Sequence, residues 1–197
     1  MDSYKLEFRE PFRREIIGGN VYLMAGTSVD HNRVTGNLIF ILKGYLRGKR
    51  CKVFGEGINV KFDEESPEVL PDIKIVCDPG KIKKNGIEGA PDFIVEVLSP
   101  RTRSKDENEK KDLYERHGVK EYWIIDPKYK SVDVYLLKDG KFEKDYTYIK
   151  FDEDEIKEIE AIGADDEKKR AKATTIKTSL YGDGLAIDIA DIFEDVE

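Results

Sequence analysis

Apolar positions along the chain change period several times, and each change marks an element. REIIGGNVYLM reads as two short strands about a Gly18-Gly19 turn, because glycine accepts positive φ at little steric cost. From Asp30, a residue suited to an N-cap, Val34, Leu38, Ile41, Leu42 and Tyr45 recur at three- and four-residue spacing. This predicts an amphipathic helix to about Leu46, ended near Gly48. CKVFGEGINVKF, DIKIVCD and DFIVEVLS then read as three strands, rich in β-branched and aromatic residues and bounded by Gly, Pro or Asp. Ser104 followed by Glu107 forms an S-x-x-E capping box, which predicts a second helix over about 105–117, closed by Gly118. EYWIIDP, SVDVYLL and KFEKDYTYI predict three more strands, with Lys138-Asp139-Gly140 turning between the last two. Residues 151–173 are highly charged and poor in aromatics, and are read as a solvated strand end and mobile loop. LAIDIADIF is a short element returning to the core. The expected architecture is a single α/β domain over residues 1–197, built on a central mixed sheet with added strands at both ends.

Composition narrows the class. With 197 residues, one substantial core is expected and two are not. The formal net charge of -7 argues against a sequence-blind polycation. Yet residues 1–60 carry ten Lys/Arg against six Asp/Glu, and Lys43, Arg47, Lys49, Arg50 and Lys52 occur together without an acidic neighbour. These five are the candidate nucleic-acid contacts, although basic residues also complement a helix C-terminus. The longest apolar run, LIFILKGYL, is broken by Lys43, so no membrane partner is expected. No apolar signal core precedes the domain, and Cys51 and Cys77 read as small buried hydrophobes in a reducing, cytoplasmic setting.

Chemistry concentrates in two carboxylates. Pro71-Asp72 opens one strand, and Glu96 lies inside the strand that follows. Alternation places Asp92, Ile94, Glu96 and Leu98 on one face, so Glu96 interrupts an apolar row. Two nearby buried carboxylates raise each other's pKa unless a cation lies between them, and hard oxygen ligands suit Mg²⁺ or Mn²⁺. The plainer alternative is that Asp72 merely begins a strand and Glu96 pairs with a Lys or Arg.

The strings REIIGGNVYLM, DHNRVTGNL, LPDIKIV, APDFIVEVLSP, DENEKKDLYERHGVKEYWIIDP and LAIDIADIF resemble the Uma-two family of restriction endonucleases, within the PD-(D/E)XK nuclease superfamily. The resemblance covers most of residues 14–137 and the C-terminal end. It implies a restriction-endonuclease-like core of helix, three strands, helix and strand, in the order read independently above. It also implies that Asp72 and Glu96 coordinate metal, with the Val97 backbone carbonyl as a further ligand. The chain departs from the motif at position 98, where Leu98 stands in place of lysine. The resemblance offers Lys110 as the substitute, in a D-x-x-x-K-x-x-x-Y pattern with Asp106 and Tyr114.

Glu15, His31 and Glu56 are possible accessory ligands or water-orienting groups, each with a structural alternative. The expected function is Mg²⁺- or Mn²⁺-dependent phosphodiester hydrolysis on DNA, by a homodimer, since cutting a duplex needs two strand cuts. The alternative is a catalytically impaired nuclease-fold protein serving as a nucleic-acid-binding or assembly module, which the leucine at position 98 motivates.

Overall fold

The computed structural model describes residues 14–17, 20–23, 27–100, 103–179 and 184–197. Strands β1 (Arg14–Ile17) and β2 (Asn20–Leu23) pair antiparallel, as the opening pattern predicts, while the Gly18-Gly19 turn lies outside the described residues. Helix α1 (Val29–Leu46) is capped by Ser28 rather than Asp30. The Ser28 hydroxyl accepts from the His31 N–H at 3.1 Å, and Asp30 falls in the first turn, where its charge suits the helix dipole. Gly48 follows the helix at φ +76°, a left-handed conformation that glycine adopts readily.

The segment expected as one strand over 51–62 divides. Its first part is β3 (Lys52–Phe54) in the central sheet, and its second is β4 (Val60–Lys61) in a separate small sheet. Gly57, at φ +81°, lies in the turn between them. Strands β5 (Glu68–Val69), β6 (Ile73–Val76), β7 (Ile82–Lys83), β8 (Gly86–Glu88) and β9 (Phe93–Val97) follow. Helix α2 consists of an α-turn at Arg103–Lys105, a π-helical segment over Asp106–Lys110 and an α-segment over Lys111–Arg116. Its N-terminus departs from the expected capping box. Ser104 is already helical, its carbonyl accepts from Asn108 Nδ2, and Glu107 pairs with Arg103.

Strands β10 (Glu121–Asp126), β11 (Ser131–Lys138) and β12 (Lys141–Ile149) complete the central sheet. The last two join through Asp139 and Gly140, both at positive φ, the geometry whose twist matches a two-residue hairpin. The stretch expected as a strand end and mobile loop instead forms α3 (Glu153–Ile162) and α4 (Asp165–Lys172). A reciprocal Asp152–Glu155 capping box starts α3. In α4, acidic residues occupy the first turn and basic residues the last, so charge density supports helix rather than opposing it. Strands β13 (Thr175–Thr178) and β14 (Leu185–Asp188) pair, and α5 (Ile189–Ile192) ends the ordered elements.

The central sheet runs β12-β11-β10-β9-β6-β3, parallel between β9 and β10 and antiparallel elsewhere. The parallel step requires a crossover, which α2 supplies. Phe93, Val95 and Val97 of β9 pack beneath Val34, Leu38 and Leu42 of α1, with Ile189 and Ile192 of α5 in the same core. On the other face, Ile94 and Leu98 meet Leu113 and Tyr114 of α2, together with Val60 and Ile87 of the small sheet. The predicted alternation of β9 is therefore realised, and it puts Glu96 under α2.

Cys51 and Cys77 form a disulfide rather than two separate buried thiols. The antiparallel register that pairs Lys52 with Val76 sets the two cysteines opposite one another at the next step. Their sequence separation of 26 implies that reduction costs roughly 3–4 kcal/mol through loop entropy released to the unfolded chain. Thermal unfolding should show a clearly lower Tm with reductant; identical transitions would mean the bond adds no stability.

Candidate active site

The β6–β9 ladder pairs Ile73 with Val95 and Lys74 with Ile94, so one further step sets Asp72 opposite Glu96 on the face covered by α2. Both carboxylates are buried. Asp72 Oδ2 accepts the Val97 N–H at 2.7 Å and lies 3.2 Å from His31 Nε2. His31 comes from the first turn of α1, where the Ser28 cap fixes its backbone, and its Nδ1 lies 3.5 Å from Glu56 Oε1. Burial by itself would raise the Asp72 pKa, but the hydrogen bond and positive charge of His31, with Lys110 and the Val97 N–H, hold it below the usual carboxylate value. Burial would likewise lower the His31 pKa. The Asp72 hydrogen bond and the negative charges of Asp72, Glu56 and Asp106 outweigh it and raise the imidazole above 6.5. Asp72 and His31 thus favour a charged pair.

Glu96, 2% exposed, is held from the helix side. Its Oε1 accepts from Lys110 Nζ at 2.8 Å and from the Tyr114 hydroxyl at 2.6 Å. Lys110 also lies 3.3 Å from Asp106 Oδ1. Asp106, Lys110 and Tyr114 follow at four-residue intervals across the π-helical segment; Lys110 and Tyr114 reach Glu96 directly, and Asp106 lies against Lys110. Such a segment widens the helix locally and re-aims its side chains. The Tyr122 hydroxyl donates to the Asp106 carbonyl at 2.9 Å and satisfies a backbone acceptor there. Lys110 is buried rather than solvated, and it does pair with Asp106 as an ordinary helix lysine would.

Lys74 is the site residue that pattern reading passed over. It is fully buried and donates to the Pro71 carbonyl at 2.8 Å. Burial pushes its pKa down to about 8, against the attraction of Glu96 and Asp72. The signal was present: in PDIKI, Lys74 stands two residues after Asp72 and so shares its face, diagonally across from Glu96. Leu98, where the motif expects lysine, is 6% exposed and packs in the core with Leu113 and Tyr122.

Other candidates fall elsewhere. Glu15 lies in β1 opposite Tyr22, and its side chain is outside the described part of the structure. The five basic candidates do not converge on the carboxylates. Lys43 is twelve residues beyond His31, about 18 Å along α1, and Arg47, Lys49 and Arg50 lie further on. Lys49 sits over the Tyr45 ring, and Lys52 donates to the Lys49 carbonyl. Asp92 accepts from Lys120 and from the Cys77 N–H at the opposite end of β9. The contact that Val97 makes with Asp72 is through its N–H, not its carbonyl.

The order α1, β3, β6, β9, α2, β10, with facing Asp72 and Glu96 at its centre, is a restriction-endonuclease-like fold. The model of the Uma2 family, described as "Putative restriction endonuclease", matches residues 2–163, and the chain belongs to this family. It is 25% identical over 158 residues to the uncharacterised protein slr1290 of Synechocystis sp. PCC 6803, covering 80% of this chain and 82% of that one. It is 28% identical over 117 residues to sll1609 of the same organism, also uncharacterised, covering 58% and 66%. A crystal structure from Anabaena variabilis ATCC 29413, titled a putative nuclease belonging to DUF820, superposes with a TM-score of 0.64. That match covers 91% of this chain and 89% of the other at 17% identity, and it agrees with the fold described above. Among the described residues, no helix is long and apolar enough to cross a membrane.

Proposed function

We infer that this chain is a divalent-metal-dependent phosphodiesterase that cuts DNA internally, and that it acts as a homodimer. The observation that carries the reading is the facing pair Asp72 and Glu96. Two buried carboxylates are held by separate partners, His31 and the Val97 N–H for one, Lys110 and Tyr114 for the other. The donor set fits Mg²⁺ or Mn²⁺. Oxygens of Asp72 and Glu56 and a nitrogen of His31 lie within 4.8 Å of one another, and His31 Nδ1 is buried with no hydrogen-bond partner among the described residues. Asp72 and Glu96, with the Val97 carbonyl, would hold the cation between β6 and β9, beside the His31 and Glu56 side chains that cluster with Asp72. When bound, it lowers the pKa of coordinated water and offsets charge on the reacting phosphate.

The chain's own residues have distinct tasks. Asp72 is oriented by the Val97 amide, so its position follows from strand pairing and does not depend on a mobile loop. Tyr114 and Lys110 fix the Glu96 carboxylate, and the Lys110 ammonium supplies the cation that the motif places at position 98. It would position water or offset phosphate charge. Lys74 adds a second positive charge beneath the two carboxylates. The family description supports DNA as the substrate.

Supercoiled plasmid incubated with protein and Mg²⁺ or Mn²⁺ should be nicked or linearised, with no product in chelator and none from Glu96→Gln. Undiminished cleavage by that variant would remove the central claim. The burial of Leu98 favours a second reading, a binding or assembly module without turnover. Metal-independent DNA binding, with no cleavage of duplex DNA, single strands or RNA, would select it.

A further inference from the structure

We propose that the outer face of α1 is a self-association surface, on which a second copy of this chain packs antiparallel about a two-fold axis near Phe40. This rests on the homodimer of the reading above and names its surface. It does not depend on the chemistry of the carboxylates.

The outward side of α1 is a continuous stripe. Val29, Asn32, Gly36, Phe40, Gly44 and Arg47 are exposed at three- and four-residue spacing, on the side away from the buried Val34, Leu38 and Leu42. Phe40 is 81% exposed, the most of any large apolar side chain among the described residues, and Val29 is 67% exposed. A phenylalanine held in water this way gains nothing from the fold of one copy. Gly36 and Gly44 flank it, each four residues away. Glycine inside a helix is less stable than alanine, yet a Cβ built at either position meets nothing within 4 Å. Packing within one copy therefore does not require the missing side chains. Bare backbone lets another helix approach closely. With a glycine on both sides of Phe40, the ring of an antiparallel partner finds a stretch without side chains to lie on, and the contact is self-complementary, as a two-fold axis demands.

Charge identifies the occupant as another copy. The C-terminal end of the chain runs beside the N-terminal half of α1: Asn37 Nδ2 donates to the Ile192 and Glu194 carbonyls at 3.2 and 3.0 Å, and Arg33 lies 3.9 Å from Glu197. Glu194, Asp195 and Glu197 are exposed there, while Lys43, Arg47, Arg50 and Lys52 are exposed at and beyond the other end of the helix. Antiparallel packing lays the basic end of each copy on the acidic end of the other, whereas parallel packing would bring like charges together. The helix alone, about 27 Å long, is too narrow to supply the roughly 800 Å² per partner of a stable interface. The charged flanks complete it, and they account for a basic group that does not converge on the carboxylates.

The test is sedimentation velocity of the full chain over a range of concentration and salt. Wild type should be a dimer whose dissociation constant rises with salt, as the paired charges are screened. Phe40→Glu should weaken it about 30-fold or more. Gly36→Gln/Gly44→Gln should also weaken it without loss of helical circular dichroism, because glutamine is the better helix former, which separates an interface from a folding defect. Lys43→Glu/Arg47→Glu should weaken the dimer and leave binding of a duplex oligonucleotide unchanged. A wild-type dimer untouched by these substitutions would overturn the proposal and assign the homodimer to another face. A wild type monomeric at every concentration would remove both the proposal and the homodimer, while plasmid cleavage would still decide the nuclease reading. Loss of duplex binding in Lys43→Glu/Arg47→Glu with the dimer intact would overturn the proposal in favour of nucleic acid on the basic end.

Discussion

Lys110→Met is expected to destabilise the protein by about 3–5 kcal/mol, as well as to reduce cleavage. Lys110 Nζ lies between two buried carboxylates, 2.8 Å from Glu96 Oε1 and 3.3 Å from Asp106 Oδ1. Methionine fills similar volume but leaves both acids without that cation in a low-dielectric setting, and breaking a buried pair on one side is costlier than removing it altogether. Urea unfolding should therefore show a lower midpoint at unchanged slope. The double variant Glu96→Gln/Lys110→Met should recover part of the loss, because the acid that needed the cation is gone. A single variant as stable as wild type would show that the Lys110 contacts contribute nothing to the fold.

Asp72→Asn should abolish turnover while the protein stays folded. The asparagine oxygen can still accept the Val97 N–H, so the β6–β9 edge keeps its link, but the charge that draws in a cation is lost. A fall in cleavage of at least about 10³-fold, equivalent to about 4 kcal/mol in the barrier, is expected with near-native circular dichroism. Calorimetric Mn²⁺ binding should weaken in step. Activity within tenfold of wild type would place the metal elsewhere.

Much of the site was legible because strands have a period of two. Alternation along DFIVEVLS put Glu96 on one face of β9 and the α1-facing residues on the other, and both core clusters follow that division. Lys74 was equally legible from PDIKI, but a lysine on a strand usually reads as solvated, and nothing local reveals that α2 and the small sheet cover this one. The helices at Glu153–Ile162 and Asp165–Lys172 were obscured for the opposite reason. Their charge looked like solvation, while the first is held by its Asp152–Glu155 capping box and the second by charges that complement its dipole, with no buried residue in either.

Local pattern by itself determined the order of the core elements α1, β3, β6, β9, α2 and β10, the faces of the β9 strand, and the placement of the two acids on separate strands, because hydrophobic period and turn chemistry act over a few residues. Only the tertiary structure decided which strands are neighbours. That decision set Asp72 opposite Glu96, joined Cys51 to Cys77, and brought His31 and Glu56 to Asp72 across 41 and 16 residues of chain. The distance of the basic group from the site follows from helix length, since α1 carries His31 in its first turn and Lys43 in its last, and Arg47, Lys49, Arg50 and Lys52 come after the helix. Long-range contacts of this kind depend on register and burial summed over the whole core, and no window of sequence contains them.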